Sequence, residues 1–379
     1  MRVRVPEITD PATVGRVSDP VPAGPARQTQ DTLLSSVTTL RLGGPARAFE
    51  RCLDTDHLIG AVTDLDRQRH RCLLVGGGSN LVVADEGFDG TAVLIESSEV
   101  TFGTENGRSY VTADAGVDWD GLVAATVDAG FGGLECLSGI PGAAGATPVQ
   151  NVGAYGVEVA DLLRDVDLLD RRSGERRRVT PSALELGYRT SNLKHRDDHV
   201  VLAVSFWLNE KRVSRPIRYG ELAATLGLEP GAQSDAAEVR EQVLALRRGK
   251  GMVLDADDHD TWSAGSFFTN PVLTADEAVP VLRRIRDQVG SDITVPTYPA
   301  GDGVKLSAGW LIERAGFRRG YPSPGAPVRL STKHTLALTN RGDATTDELL
   351  DLARDVRDGV RAAFGVDLHP EPVLVNCSL

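Results

Sequence analysis

"RCLLVGGGSNLVVADEGFDGTAVLIE", residues 71–96, is the stretch on which the fold class turns. An apolar run leads into Gly76 and Gly78, and Glu96 stands where a Rossmann fold places the acid that binds a ribose. Two features break that match. Leu81 occupies the third glycine position, and "ADEGFDG" between Val83 and Thr91 is too short for the helical crossover of a parallel βαβ unit. The segment therefore reads as two short β-type runs around a glycine-rich turn, and a Rossmann domain is rejected.

The chain around it has 379 residues, which favours two domains with separate cores. It is 41% hydrophobic and 25% charged, with no apolar run long enough to span a bilayer, so a soluble protein without a membrane partner is expected. A formal net charge of −12 argues against a surface for nucleic acid. "MRVRVPEITDPATVGRVSDPVPAGPARQ" (residues 1–28) lacks the apolar core and cleavage pattern of a signal peptide. It reads as a flexible tail of a cytoplasmic protein. Cys52, Cys72, Cys136 and Cys377 are widely spaced and read as reduced structural residues. His195 and His199 in "KHRDDH" share a face if the stretch is helical, but the charges around them favour a solvated surface, and no metal site is expected.

Further β-type runs lie in "TLRLGGPARAFE" (residues 39–50) and "HVVLAVSFWL" (residues 199–208), and a last one in "PVLVNC". "DWDGLVAATVDAG" (residues 118–130) predicts a helix with Leu122, Ala125 and Ala129 near one face and Gly130 as its stop. "TADEAVPVLRRIRDQVG" predicts a second, opened by a Thr274–Glu277 capping box, with Val279, Leu282, Ile285 and Val289 at helical spacing. "TTDELLDLARDVRDGVRAAFG" repeats the device: Thr345 and Glu348 cap it, Leu349, Leu352, Val356, Val360 and Phe364 form the stripe, and Gly365 ends it. The turn-rich residues 214–234 mark a candidate boundary or an inserted loop.

A second glycine-rich segment, "SGIPGAAGATPVQNVGAYGVE" (residues 138–158), combines Gly139, Gly142, Gly145, Gly153 and Gly156 with Pro141 and Pro148. Glycines let main-chain N–H groups approach phosphate oxygens, which suits a pyrophosphate. Two turns that merely join strands are the competing reading of either segment alone.

Taken with "TTLRLGGPA", "GYRTSN", "RYGEL", "SAGSFFTNP", "AGWLIERAGFRRG" and "LHPEPVLV" in that order, these segments resemble the UDP-N-acetylenolpyruvoylglucosamine reductase (MurB) family from about Thr38 to the C-terminus. The resemblance implies an α+β protein: an FAD-binding domain of the vanillyl-alcohol oxidase / p-cresol methylhydroxylase type, then a C-terminal α+β substrate-binding domain. Expected boundaries are a tail at 1–31, the FAD-binding domain at 32–210, a linker and substrate loop at 211–249, and the C-terminal domain at 250–379. The implied reaction is reduction of the enolpyruvyl ether of UDP-N-acetylglucosamine to the lactyl ether of UDP-N-acetylmuramate for peptidoglycan, with NADPH as reductant. A cytoplasmic monomer whose partners are NADPH and this UDP-sugar is expected.

Carried onto this sequence, the family's catalytic residues fall on Arg189 in "GYRTSN", Ser266 in "SAGSFFTNP" and Glu371 in "LHPEP". Substrate-contacting positions fall on Tyr219, which points to the long-loop subgroup, and on Lys250 and Asn270. FAD-contacting positions fall on Gly76, Gly77, Gly78, Ser79, Asn80, Gly139, Ile140, Gly142, Gly145, Asn151 and Gly153. The tail before Thr32 and the "RRGKGM" stretch around Lys250 depart from the family pattern.

Hydride addition to the vinyl carbon creates an enolate whose charge must be stabilised, a role that suits the fixed cationic fork of Arg189. Glu371 supports the carboxylate if protonated and repels it if ionised. The enolate carbon then needs a proton where two phenylalanines exclude water, which suits Ser266 as general acid, assisted by the positive charge of Lys250 or Arg189. Two other readings are a serine acyltransferase or hydrolase using Ser266, and a module that binds FAD or a UDP-sugar without turnover. The first lacks the glycines of a nucleophile elbow around Ser266.

Overall fold

A computed structural model describes residues 3–4 and 33–379. The expected tail, residues 1–31, lies outside the described residues apart from Val3–Arg4, which pairs in parallel with Val100–Thr101.

The first part of the chain builds two sheets around a shared helix. Ala46–Cys52, Phe88–Ile95 and Cys72–Val75 form a three-stranded sheet in that spatial order, all parallel. Helix α1 (Thr55–Arg67) crosses between its two outer strands and starts on the Asp54 side chain, which accepts from the His57 N–H. Cys72–Val75 and Phe88–Ile95 are parallel neighbours although no helix joins them. Their connection is the glycine turn and the strand Leu81–Val83, which leaves this sheet to pair with Val373–Val375 near the C-terminus. The short spacing does exclude a helical crossover, but not parallel pairing.

A six-stranded sheet follows, in the order Val3–Arg4, Val100–Glu105, Arg108–Asp114, His199–Trp207, Leu163–Asp170, Arg176–Val179. Leu58 and Val62 of α1 are buried between it and the parallel sheet, against Val93, Leu169, Val200 and Leu202. Its other face carries the largest cluster of this part, with helix α2 (Trp119–Asp128), α3 (Gly220–Thr225) and α4 (Ala236–Gly249). On α2 the core face is Trp119, Leu122, Val123, Thr126 and Val127. The expected face is displaced: Ala125 is only half-buried and Ala129 exposed, because the larger side chains turn inward.

The second cluster gathers α5 (Ala275–Val289), α6 (Ala308–Arg314) and α7 (Thr346–Phe364) over Phe267 and Phe268, and takes in Leu40, Leu42 and Val82 from the first part of the chain. Both predicted capping boxes form, Thr274 with Glu277 and Thr345 with Glu348. Gly365 ends α7 with φ +73°, in the left-handed conformation that glycine adopts without strain. All five predicted stripe residues of α7 are buried. On α5, Val279 is instead 59% exposed and the buried positions are Ala278 and Ile285, with Leu282 and Val289 packed beside them. Residues 194–199 form no helix; His195, Arg196 and Asp197 are exposed, as a solvated surface requires, whereas His199 opens a sheet strand with its side chain 14% exposed.

Candidate active site

The glycine-rich turn after Cys72–Val75 meets the loop that follows Ser138. A Cβ on Gly77 would stand 2.5 Å from Gly142 Cα, and one on Gly145 would stand 2.5 Å from the Ala115 side chain. Only residues without side chains let these main chains touch. Together they wall a cleft of about 730 Å³, the size range of small-molecule sites. Gly76, Gly77, Gly78, Ser79 and Asn80 line one wall, and Ile140, Gly142, Gly145 and Gly153 the other. The Asn80 amide donates to Gln150 Oε1 at 2.8 Å and ties the walls together.

Two of the expected cofactor positions serve as struts behind the wall. Asn151 is buried at φ +47°; its amide donates to Glu158 and Gly187, both at 2.9 Å, and its Oδ1 accepts from the Ala160 N–H at 2.9 Å. The Gly139 N–H donates to Asp120 Oδ1 at 2.6 Å, and the same carboxylate holds Arg240 of α4.

Arg189, Ser266 and Glu371 line this same cleft. Arg189 sits at φ +54° in a tight turn closed by Gly187 and Thr190, whose N–H groups donate to each other's carbonyls at 3.0 and 3.2 Å. Its Nη2 donates to the Gly153 carbonyl at 2.8 Å, and its Nε lies 3.2 Å from Glu371 Oε1. Glu371 reaches the cleft through two backbone contacts. Its own N–H donates to the Phe267 carbonyl at 2.8 Å, beside Ser266, and the Val373 N–H donates to the Asn80 carbonyl at 2.9 Å. Burial raises the Glu371 carboxyl above the usual range, against the opposing pull of Arg189 and Lys194. Phe267 and Phe268 are buried with their rings edge to face in the second core cluster, while the half-buried Ser266 beside them lines the cleft.

Tyr219, Lys250 and Asn270 stand outside the wall. Tyr219 is 41% exposed and packs edge-on against Tyr155 with ring centres 5.3 Å apart. Lys250 pairs with Glu221 at 2.6 Å and lies 5.9 Å from the Tyr155 ring. Asn270 accepts the Ala308 N–H at 2.9 Å, at the start of α6. Of the two cations expected to assist Ser266, Arg189 shares the cleft with it and Lys250 does not line it.

The cleft also holds residues that sequence reasoning passed over. Arg247 on α4 lines it, donates to the Met252 carbonyl at 2.7 Å and keeps a buried Nε without a partner. Burial pulls its pKa down to about 10. Its place three residues before Lys250 was the one sequence cue. Lys194, His195 and His199 also line the cleft, and no periodicity in "LKHRDDH" announces it. A guanidinium with a buried, unpartnered Nε beside glycine main chain fits an anionic, elongated cofactor such as FAD.

Comparison with known proteins agrees with this geometry. Residues 46–180 match the model of an FAD binding domain, and residues 257–375 match that of the UDP-N-acetylenolpyruvoylglucosamine reductase C-terminal domain. The UDP-N-acetylenolpyruvoylglucosamine reductase of Saccharopolyspora erythraea is 62% identical, over 93% of this chain and 97% of its own. That of Nocardia farcinica is 60% identical, over 91% and 89%. The crystal structure of MurB from Thermus caldophilus shares the fold, with a TM-score of 0.60 over 91% of this chain and 97% of its own at 24% identity. The chain belongs to the UDP-N-acetylenolpyruvoylglucosamine reductase family, whose members are flavin-dependent oxidoreductases.

Proposed function

We propose that this protein reduces the enolpyruvyl ether of UDP-N-acetylglucosamine to UDP-N-acetylmuramate for peptidoglycan synthesis, as a cytoplasmic monomer that takes its electrons from NADPH. The observation that carries the reading is the meeting of Arg189, Ser266 and Glu371 on the cleft walled by both glycine-rich loops. Gly76 to Asn80, Ile140, Gly142, Gly145, Gly153 and Arg247 would hold FAD there, in a domain of the vanillyl-alcohol oxidase type. Bound FAD would supply the hydride chemistry that links NADPH to the vinyl carbon.

The chain's own residues do the rest. The Arg189 guanidinium, fixed by Gly153 and Glu371, faces the substrate carboxylate and stabilises the charge that grows on it. Burial favours the protonated Glu371 carboxyl, against the pull of Arg189 and Lys194, and in that form it would donate to the same group. Ser266 Oγ hands its proton to the enolate carbon, with Arg189 on the same cleft favouring the alkoxide left behind. Tyr219 and Lys250 on one flank, and Asn270 at the start of α6, would hold the diphosphate and sugar.

The test is anaerobic. NADPH should bleach the flavin absorbance, and UDP-N-acetylglucosamine enolpyruvate should restore it. Ser266→Ala should slow restoration by about 10²- to 10⁴-fold and leave bleaching intact. Equal loss in both steps would place the proton donor elsewhere.

A further inference from the structure

Arg189 occupies the third position of a tight turn at φ +54°, a backbone state that L-residues other than glycine and asparagine adopt at a cost. A catalytic arginine cannot be exchanged for glycine, so something has to hold the turn. Lys194 reaches back five residues, and its Nζ donates to the Arg189 carbonyl at 3.0 Å. The lysine is half-buried, lines the cleft, and with Arg189 makes up the cationic surroundings of Glu371.

Resting on the roles assigned to Arg189 and Glu371 above, we propose that Lys194 is a positioning residue of the reduction: its ammonium clamps the strained Arg189 turn and sets a second positive charge against Glu371. The clamp fixes where the guanidinium points, because the side chain leaves a backbone that has no freedom once its carbonyl is held. The charge sets the range over which Glu371 keeps its proton. Both cations lower the proton affinity of the carboxyl while burial raises it, and Lys194 is itself made less basic by burial and by Arg189. A solvated surface lysine would do neither.

The test compares FAD-loaded wild type, Lys194→Met and Lys194→Arg in anaerobic rapid mixing across pH 5.5–9. Flavin reduction by NADPH and reoxidation by UDP-N-acetylglucosamine enolpyruvate are followed separately, with FAD affinity and Tm measured beside them. Lys194→Met should slow reoxidation by about 10²-fold, the scale of a misplacement of about 1 Å, with FAD affinity retained. Removal of a neighbouring cation should also move the Glu371 limb of the reoxidation profile to higher pH. Lys194→Arg should keep that limb in place and recover part of the rate. Equal loss in both half-reactions, or reoxidation within twofold of wild type with an unmoved limb, overturns the proposal. Glu371→Gln separates the two layers. If the limb survives in that variant, the role of Glu371 fails rather than that of Lys194, and the split between the half-reactions then decides Lys194 alone.

Discussion

The contact between the two glycine loops gives the sharpest prediction. In Gly77→Ala the new Cβ would lie 2.5 Å from Gly142 Cα, 2.8 Å from its carbonyl carbon and 3.2 Å from Ala143 N, all main-chain atoms that cannot swing aside. Ordinary contact begins near 3.4 Å, so the loops must part by about 1 Å, an overpacking cost of about 1–3 kcal/mol. Because both loops wall the cleft, part of that strain reappears as lost FAD affinity, at most about 5- to 150-fold. Gly76→Ala should be milder, since its Cβ would meet only the Ala143 side chain at 3.1 Å. Gly60→Ala supplies the control: on α1, with nothing within 4 Å of its Cβ, it should leave FAD binding alone and stabilise by up to about 1 kcal/mol. Titration of the apoprotein with FAD by fluorescence quenching, with Tm recorded for each variant, reads all three. FAD affinity of Gly77→Ala within twofold of wild type, or a greater loss in Gly76→Ala, would refute the reasoning.

Two further predictions follow from buried charge. The folded pKa of Glu371 is raised by burial, so its stabilising contribution is complete below the unfolded value and is lost as pH rises through the folded one; Glu371→Gln should therefore be more stable than wild type at pH 8, with the gap closing toward pH 4 in denaturant titrations. His334 is shifted the other way, down to about 4 by burial and then by Lys250 and Arg319, so it is neutral in the fold and its contribution is lost as pH falls below about 6.5. At full effect that interval is worth about 3 kcal/mol, and His334→Gln should flatten the acid limb of stability between pH 6.5 and 4.5; an unchanged limb would assign it to other groups.

What could be read from the sequence is what local chemistry decides. The capping boxes at Thr274 and Thr345 and the stop at Gly365 need only residues a few positions apart, and they form. The stripe of α7 is buried in full because two neighbouring helices cover it, whereas α5 lies at the rim, where Val279 has nothing to cover it. Spacing gives a helix its faces but not the choice of face to bury. The parallel pairing of Cys72–Val75 with Phe88–Ile95 was hidden for a related reason, since the β-type run Leu81–Val83 could be read but not its departure to pair with Val373–Val375. The cleft residues that motifs carry, Arg189, Ser266 and Glu371, could be named from their neighbours. Arg247 and Lys194 could not, because their place depends on α4 and on a turn that meet the cleft only in three dimensions.

That dependence explains how three residues so far apart in sequence come to face one cleft. Glu371 is set by two main-chain hydrogen bonds on either side of its own side chain: its N–H to Phe267 at 2.8 Å, and the Val373 N–H to Asn80 at 2.9 Å. The first aligns it with Ser266, the second with the glycine turn, and the strand Val373–Val375 continues the pairing along Leu81–Val83. In extended backbone a slip of one residue turns each side chain to the opposite face. Such a slip here would carry Glu371 out of the cleft, put Pro370 or Pro372 in its place, and demand an N–H that proline lacks. The prolines flanking Glu371 therefore bar a slip of one residue in either direction. The C-terminal strand is thus part of the site's construction, since the pairing that closes the fold also carries the carboxyl to Arg189.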